Sequence, residues 1–200
     1  MFEFGLDINE AQLHKDLMAH LSLEIEQVFK RAAPKIETHM RPLISGALRR
    51  SPEYSSMAAG QLQSEFGLVD GMSRMDAIID TWTNSVNVEA KNLTMKITAI
   101  SAEYFSILRD PAATFVTEKG SRLPWLEWLL LEGDRRIVLG YGVGPGRGRA
   151  GPQVMKMGGS WGVPAQYSGT VNNNFITRTV DSLEDEIFNL VKKEVEAQIK

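Results

Sequence analysis

The sequence predicts an α+β fold, in which long N-terminal and C-terminal helices pack around a small central antiparallel sheet. Two observations support this fold class. Apolar residues recur every three or four positions near both ends of the chain, and apolar and polar residues alternate in the middle. A third observation is the glycine-rich stretch at residues 144–170, which predicts an extended loop or arm.

The composition predicts one domain spanning residues 1–200. A chain of 200 residues can bury a single core, and 43% hydrophobic with 24% charged residues is typical of a globular protein. The formal charge of −3 gives no overall attraction to nucleic acid or to an anionic membrane, so any such contact is local. We also expect no signal peptide and no membrane partner, because the longest apolar run falls short of the roughly 20 residues of a span.

The first element is a predicted amphipathic helix over residues 9–44, with an apolar stripe that includes Leu13, Leu17 and Leu21. Pro34 is expected to kink or break this helix near residues 30–33, and Pro42 to end it. A helix of this length cannot bury its stripe on a small body. It either folds back as two shorter helices or packs on a neighbouring subunit.

The middle of the chain changes from helical to alternating periodicity. Residues 45–70 show only a weak helical stretch. From Asp80 onward the alternation of Trp82, Val86 and Val88 predicts a β-hairpin with its turn at Lys91-Asn92. Two short helical pieces are expected to follow, separated by Asp110-Pro111.

The C-terminal part holds a tryptophan-rich apolar block and a final helix. Residues 123–131 predict a buried helix that starts at Pro124 and ends at Gly133. Residues 136–143 predict a strand, and the loop at 144–170 contains at most a short strand at 153–157. The last helix, over residues 174–199, is capped by Asn173 or Asn174.

The sequence contains no recognisable catalytic set, so we expect neither enzymatic activity nor a cofactor. The absence of cysteine excludes thiolate nucleophiles and Cys-ligated metals. The three histidines, His14, His20 and His39, all fall on the first helix without the i, i+4 spacing of a metal pair. No metal site is therefore predicted.

The glycines at residues 142–146 raise an alternative of another class, a phosphate- or nucleotide-binding module. Glycines after a strand can let backbone amides approach a phosphate. Such a motif requires a helix directly after the glycines, and Gly148, Gly151 and Pro152 prevent one. A G-K-[ST] pair is also missing.

Two arginines in the glycine-rich stretch, Arg147 and Arg149, suggest a contact between subunits. Because the rest of the protein is acidic, we interpret them as partners of acidic residues on the last helix of a neighbouring copy. A weak contact with DNA is the alternative, with Trp161 as a nearby aromatic. Trp125 and Trp128 lie three apart on one helix face and are predicted core anchors in preference to a sugar or base platform; large aromatics of this type also serve as interface hot spots. The predicted interface residues are Trp125, Trp128, Arg147, Arg149, Trp161, Asp181, Glu184 and Asp185.

The order of these elements resembles that of a known family. The segments concerned are Arg31-Ala32-Ala33-Pro34, the block at 123–133, residues 158–164, and Asn174-Phe175-Ile176-Thr177-Arg178. Together they resemble the head-tail joining, or tail-completion, proteins of the neck of long-tailed bacteriophages. The resemblance implies a small α+β subunit that assembles as a ring at the portal-proximal end of the tail.

The resemblance also implies location and partners. A structural virion protein of the neck would assemble in the host cytoplasm and contact copies of itself, a portal or adaptor protein, and tail tube or sheath proteins. Weak contact with DNA in the ring lumen is expected as well. A tail terminator and a minor tail protein are the alternatives within this class.

Overall fold

The computed structural model describes residues 10–99, 102–117 and 120–199, and within them it confirms the α+β class. The α-helices are α1 (Glu10–Leu48), α2 (Pro52–Ala59), α3 (Gln61–Phe66), α4 (Gly71–Asn84), α5 (Trp125–Leu131), α6 (Phe175–Asp181) and α7 (Glu184–Glu196). The strands are β1 (Asn87–Lys91), β2 (Thr94–Thr98), β3 (Phe115–Val116), β4 (Arg122–Leu123), β5 (Val138–Pro145) and β6 (Gln153–Trp161). Each strand pairs antiparallel with its neighbour in sequence, which gives three separate hairpins in place of one central sheet. Two 3₁₀ helices, Ala102–Arg109 and Pro111–Ala113, lie between β2 and β3.

The core is organised around the C-terminal half of α1. Its buried stripe comprises Val28, Ala32, Ile36, Met40, Ile44 and Leu48. This stripe packs against α4, α6, α7 and the β1–β2 hairpin. Helix α7 runs antiparallel to α1, because Arg31 contacts the carbonyl of Gln198 while His39 contacts Glu194.

The predicted break of the first helix is wrong, since α1 continues through both prolines to Leu48. Pro34 and Pro42 are exposed, so the carbonyl groups that lose their amide donors can be hydrated. The buried neighbours Ile36, Met40 and Ile44 hold the helix on both sides of the prolines. Tertiary packing therefore offsets the roughly 3 kcal/mol that a proline costs inside a helix.

The predicted hairpin is confirmed, but it begins later than expected. Trp82 lies on α4, which continues to Asn84, because its side chain packs in the core with other α4 residues at helical spacing. The strands pair Val88 with Ile97, and the turn residues Asn92 and Leu93 both have positive φ. Two positive φ values are the conformation of a two-residue hairpin turn.

The final helix is divided in two, contrary to the single helix predicted over residues 174–199. Asn174 caps α6 as predicted, accepting hydrogen bonds from the amides of Ile176 and Thr177. The division falls at Ser182 and Leu183, where the Leu183 side chain is buried. This change of direction lets Leu183 enter the core while α7 lies along α1.

Candidate assembly surfaces

The N-terminal part of α1 extends away from the core. We call residues 10–27 the arm; all side chains from residue 11 to residue 21 are exposed. At 1.5 Å per residue its 18 residues span about 27 Å. The sequence predicts a helix that is too long to bury its stripe on a small body, and the arm is the part of α1 that extends beyond the body. The helix neither folds back nor breaks.

The arm carries an apolar stripe. Leu13, Leu17 and Leu21 recur at four-residue intervals, and at 100° per residue they share one face of α1 with Val28 and Ala32. That face is buried from Val28 onward and exposed before it, with Leu17 63% exposed. Leu23 is 59% exposed but lies about 120° around the helix from Leu17. The leucine stripe thus prolongs a core-forming face into solvent.

A groove at the base of the arm extends this apolar surface. It has a volume of about 470 Å³ and lies between α1 and the end of α7. Its apolar lining includes Leu21, Ile25, Phe29, Val195 and Ile199. The leucine stripe therefore runs without interruption into a concave surface at the body.

Part of the glycine-rich stretch is a hairpin, so the predicted loop at 144–170 is wrong at residues 144–145 and 158–161, while residues 146–152 form the turn. Strands β5 and β6 pair Val143 with Met155 and Gly144 with Val154, and we call residues 138–161 the glycine hairpin. Tyr141 lies opposite both Met157 and Gly158, which makes a bulge. The predicted short strand at 153–157 is part of β6. Residues 162–173 remain irregular apart from a turn and an isolated bridge.

The glycine hairpin exposes apolar side chains and strand edges. Leu139 and Met157 are among its exposed residues, and Met157 is 86% exposed. Within the described residues β5 and β6 pair only with each other, so each has an unpaired edge. Exposed edges of this kind are sites where another chain can bind.

The turn of the hairpin uses its own amide groups. Gly146 donates its amide to the carbonyl of Pro152 at 2.9 Å, and Gly148 donates to that of Gly151 at 3.0 Å. A Cβ atom at Gly148 would collide with the carbonyl oxygen of Gln153, so the turn requires glycine. Because these amides are satisfied within the turn and no helix starts there, the geometry lacks the usual features of a phosphate loop.

The two arginines of the turn have different surroundings. Arg149 donates its Nε to the carbonyl of Gly67 at 3.0 Å and lies over the Phe115 ring at 4.3 Å from the centroid. Arg147 is exposed and has no hydrogen-bond or ion-pair partner among the described residues. Arg149 therefore fixes the hairpin turn to α3 and β3, and Arg147 is available to a partner.

A cleft lies between the glycine hairpin and the body. It has a volume of about 740 Å³ and is lined mainly by apolar side chains of α3, β4, β5 and β6, including Phe66, Leu123, Val143 and Met155. Two buried polar atoms of its lining residues, Ser64 Oγ and Gln153 Oε1, have no hydrogen-bond partner among the described residues. Both atoms are buried, so they do not form part of the accessible surface of the cleft.

The tryptophans predicted at the interface lie mainly in the core. Trp125 and Trp161 are buried, which confirms Trp125 as a core residue and contradicts the predicted place of both at a subunit interface. They surround Phe66 with ring centroids 6.4 and 5.4 Å away, and Trp128 completes the cluster at 6.3 Å. Trp128 is only half-buried and stays a predicted interface residue.

The predicted acidic partners are accessible. Asp181, Glu184 and Asp185 are all exposed around the junction of α6 and α7, with no ion-pair partner among the described residues. The structure does not place them near Arg147 or Arg149 within one chain, as expected for a contact between copies. That contact stays a prediction.

Charge is segregated along the chain. Residues 135–180 contain Arg135, Arg136, Arg147, Arg149, Lys156 and Arg178 but no aspartate or glutamate. On the arm, Asp16, Glu24 and Glu26 outnumber Lys15. The glycine hairpin is therefore the basic part of a protein whose arm and last helix are acidic.

The described residues contain no cluster of three or more histidine or carboxylate side chains that could hold a metal ion. Among the helices that the structure describes, none combines the length and the hydropathy that crossing a membrane requires.

Sequence reasoning missed the cleft, because its walls come from segments far apart in the chain. The arm could be predicted from the sequence, because the leucine stripe begins well before the first core residue of α1.

We compared the chain with protein-family models, curated proteins and solved structures, and found no match.

Proposed function

We propose that this protein is a structural subunit of a homo-oligomeric ring in the neck of a tailed bacteriophage, where it joins the head to the tail. The observation that supports this proposal is the exposed surface of two elements: the arm, which extends beyond the core, and the glycine hairpin, which packs on the body through Trp161 but exposes apolar side chains such as Leu139 and Met157. Both expose apolar side chains, and their charges are opposite. Surfaces of this kind are typical of proteins that assemble.

The two elements can join neighbouring copies in a ring. They differ in shape and charge, so a contact between them joins unlike surfaces of neighbouring copies. Such heterologous contacts produce rings when the rotation between subunits closes. The resemblance in element order to neck proteins supports the same arrangement.

The proposed partners are other copies of this chain, a portal or adaptor protein, and tail tube or sheath proteins. Arg147 and Lys156 are exposed cations on the hairpin that would allow weak contact with DNA in the ring lumen. A tail terminator or a minor tail protein would use the same surfaces. No catalytic residue or cofactor forms part of the proposal.

The test is the oligomeric state and partner binding of the purified protein. We expect sedimentation species at multiples of the 22.3 kDa chain and rings in electron micrographs. Titration calorimetry with ATP and GTP tests the alternative nucleotide-binding module, and we expect no heat of binding. A protein that stays monomeric at high concentration and binds no portal, adaptor or tail component would refute the ring.

A further inference from the structure

We propose that the arm of one subunit binds in the cleft beside the glycine hairpin of the next. The proposal rests on the ring assembly proposed above and assigns the two surfaces that form its contact. The occupant of the cleft is a second copy of this chain, in particular the leucine stripe of Leu13, Leu17 and Leu21.

The first argument is that the two surfaces match in chemistry. The cleft has apolar walls, which include Phe66, Val143 and Met155, and the stripe is a continuous row of exposed leucines. An amphipathic helix that lays its apolar face in a hydrophobic groove is a common recognition mode, with anchors three or four residues apart on that face. The arm provides these anchors at Leu13, Leu17 and Leu21.

The second argument is charge. The cleft is lined by one cation, Arg149, and one carboxylate, Glu65, whose oxygens accept hydrogen bonds from Trp161 and Gln61. The glycine hairpin that forms one wall adds Arg147 and Lys156 and has no carboxylate of its own. The arm has an excess of acidic residues, with Asp16 and Glu24 among them. Pairing two arms with each other would bring like charges together, whereas placing an arm at the cleft brings opposite charges together.

The third argument is that α7 is a poorer occupant. Its first turn is acidic, but Phe188 is its only large hydrophobic residue that is strongly exposed within the described part of the chain. One aromatic side chain cannot cover the length of the cleft as three leucines in a row can. The acidic turn therefore fits the exposed Arg147 at the tip of the hairpin, while the arm fits the cleft.

The absence of cysteine from the chain permits a direct cross-linking test. The variants Leu17→Cys and Met155→Cys place one thiol on the stripe and one in the cleft. Both residues are exposed, at 63% and 40%, so neither change removes core packing. Equal amounts of the two variants are mixed, allowed to assemble, and oxidised, and the products are separated without reductant.

We expect a disulfide-linked dimer in the mixture and little in either variant alone. The matched control replaces Leu17→Cys with Leu23→Cys, which lies on the same arm with similar exposure but off the stripe, and we expect at least about tenfold less cross-linked product. Equal cross-linking from the two arm positions would overturn the proposal. Efficient cross-linking of Leu17→Cys with itself would also overturn it, because that result indicates paired arms.

Sedimentation of the same samples separates this proposal from the ring itself. Assembly without the cross-link between Leu17→Cys and Met155→Cys refutes the contact but leaves the ring intact. A protein that remains monomeric throughout refutes both.

As a second measurement, Leu17→Gln combined with Leu21→Gln should weaken association about tenfold or more, while Leu23→Gln should not.

Discussion

Trp161 donates its indole N–H to the Glu65 carboxylate at 2.6 Å and thereby connects the end of β6 to α3. Trp161 also packs edge-on against Phe66 and Trp128. Replacement by phenylalanine keeps much of this packing and removes the hydrogen bond. We expect Trp161→Phe to lower the free energy of unfolding by about 1–3 kcal/mol in urea titrations. Glu65→Gln keeps an acceptor oxygen and should lower the free energy of unfolding by less. If Trp161→Phe were as stable as the parent, the hydrogen bond to Glu65 would not stabilise the fold.

The ion pair between Asp70 and Arg74 predicts a pH dependence of stability. The Arg74 guanidinium, 2.9 Å away, holds the pKa of the Asp70 carboxyl below its usual range. A carboxyl with a lowered pKa stabilises the fold fully above its ordinary pKa, and this contribution is lost as the pH falls through the folded-state value. We expect Asp70→Asn to cost up to about 1 kcal/mol at pH 7, because the pair is partly exposed, and the cost to shrink as the pH falls below the ordinary pKa of the carboxyl. Urea titrations of both proteins from neutral to acidic pH provide the test, and a difference that does not shrink toward low pH would contradict it.

Glu53 is a buried carboxylate whose charge is compensated by Arg178 at 2.7 Å. Removing the arginine leaves the carboxylate buried without its partner. We expect Arg178→Ala to lower the free energy of unfolding by about 2–3 kcal/mol. This loss is at or below the one expected when a partner is removed from a fully buried ion pair, because Arg178 is itself partly exposed. In a double-mutant cycle with Glu53→Gln, the double variant should lose less than the sum of the two single changes. Additive losses would indicate that the residues do not interact.

The contact predicted from the sequence between Arg147 and the acidic residues of a neighbouring copy can be tested by charge exchange. Arg147→Glu should leave the monomer as stable as the parent, since Arg147 is exposed without a partner among the described residues, and should weaken assembly. Adding Glu184→Arg should restore part of the assembly, which sedimentation would measure. If Glu184→Arg gives no recovery, the acidic junction of α6 and α7 is not the partner of Arg147.

Several features of the fold follow from local patterns in the sequence. The capping side chain of Asn174, the turn near Asn92 and the end of α5 before Gly133 are decided by a few adjacent residues, and the sequence predicts them correctly. The continuity of α1 through Pro34 depends on burial of Ile36 and Met40 by distant segments. A local pattern cannot include that contribution.

The glycine hairpin, which belongs to the candidate assembly surfaces, is also difficult to predict from local sequence. Its glycine content is typical of a loop, and this content does not predict the pairing of Val143 with Met155. Burial of Trp125 and Trp161 likewise depends on Phe66, which comes from the weakly patterned region. The exposed cations and carboxylates were easier to predict, because charged side chains rarely enter a core without a partner.

The arm has a further consequence for how an assembly begins. An isolated helix of its length is marginal in water, because starting the first turn is unfavourable by a factor of about 1,000. Here the packed segment from Val28 to Leu48 already supplies that first turn, so the arm only has to extend an existing helix toward its N-terminus. In the free subunit any unwinding of the arm should begin at its tip and proceed inward. A neighbouring subunit would therefore bind a helix that is already nucleated, and association would not require a new nucleation step.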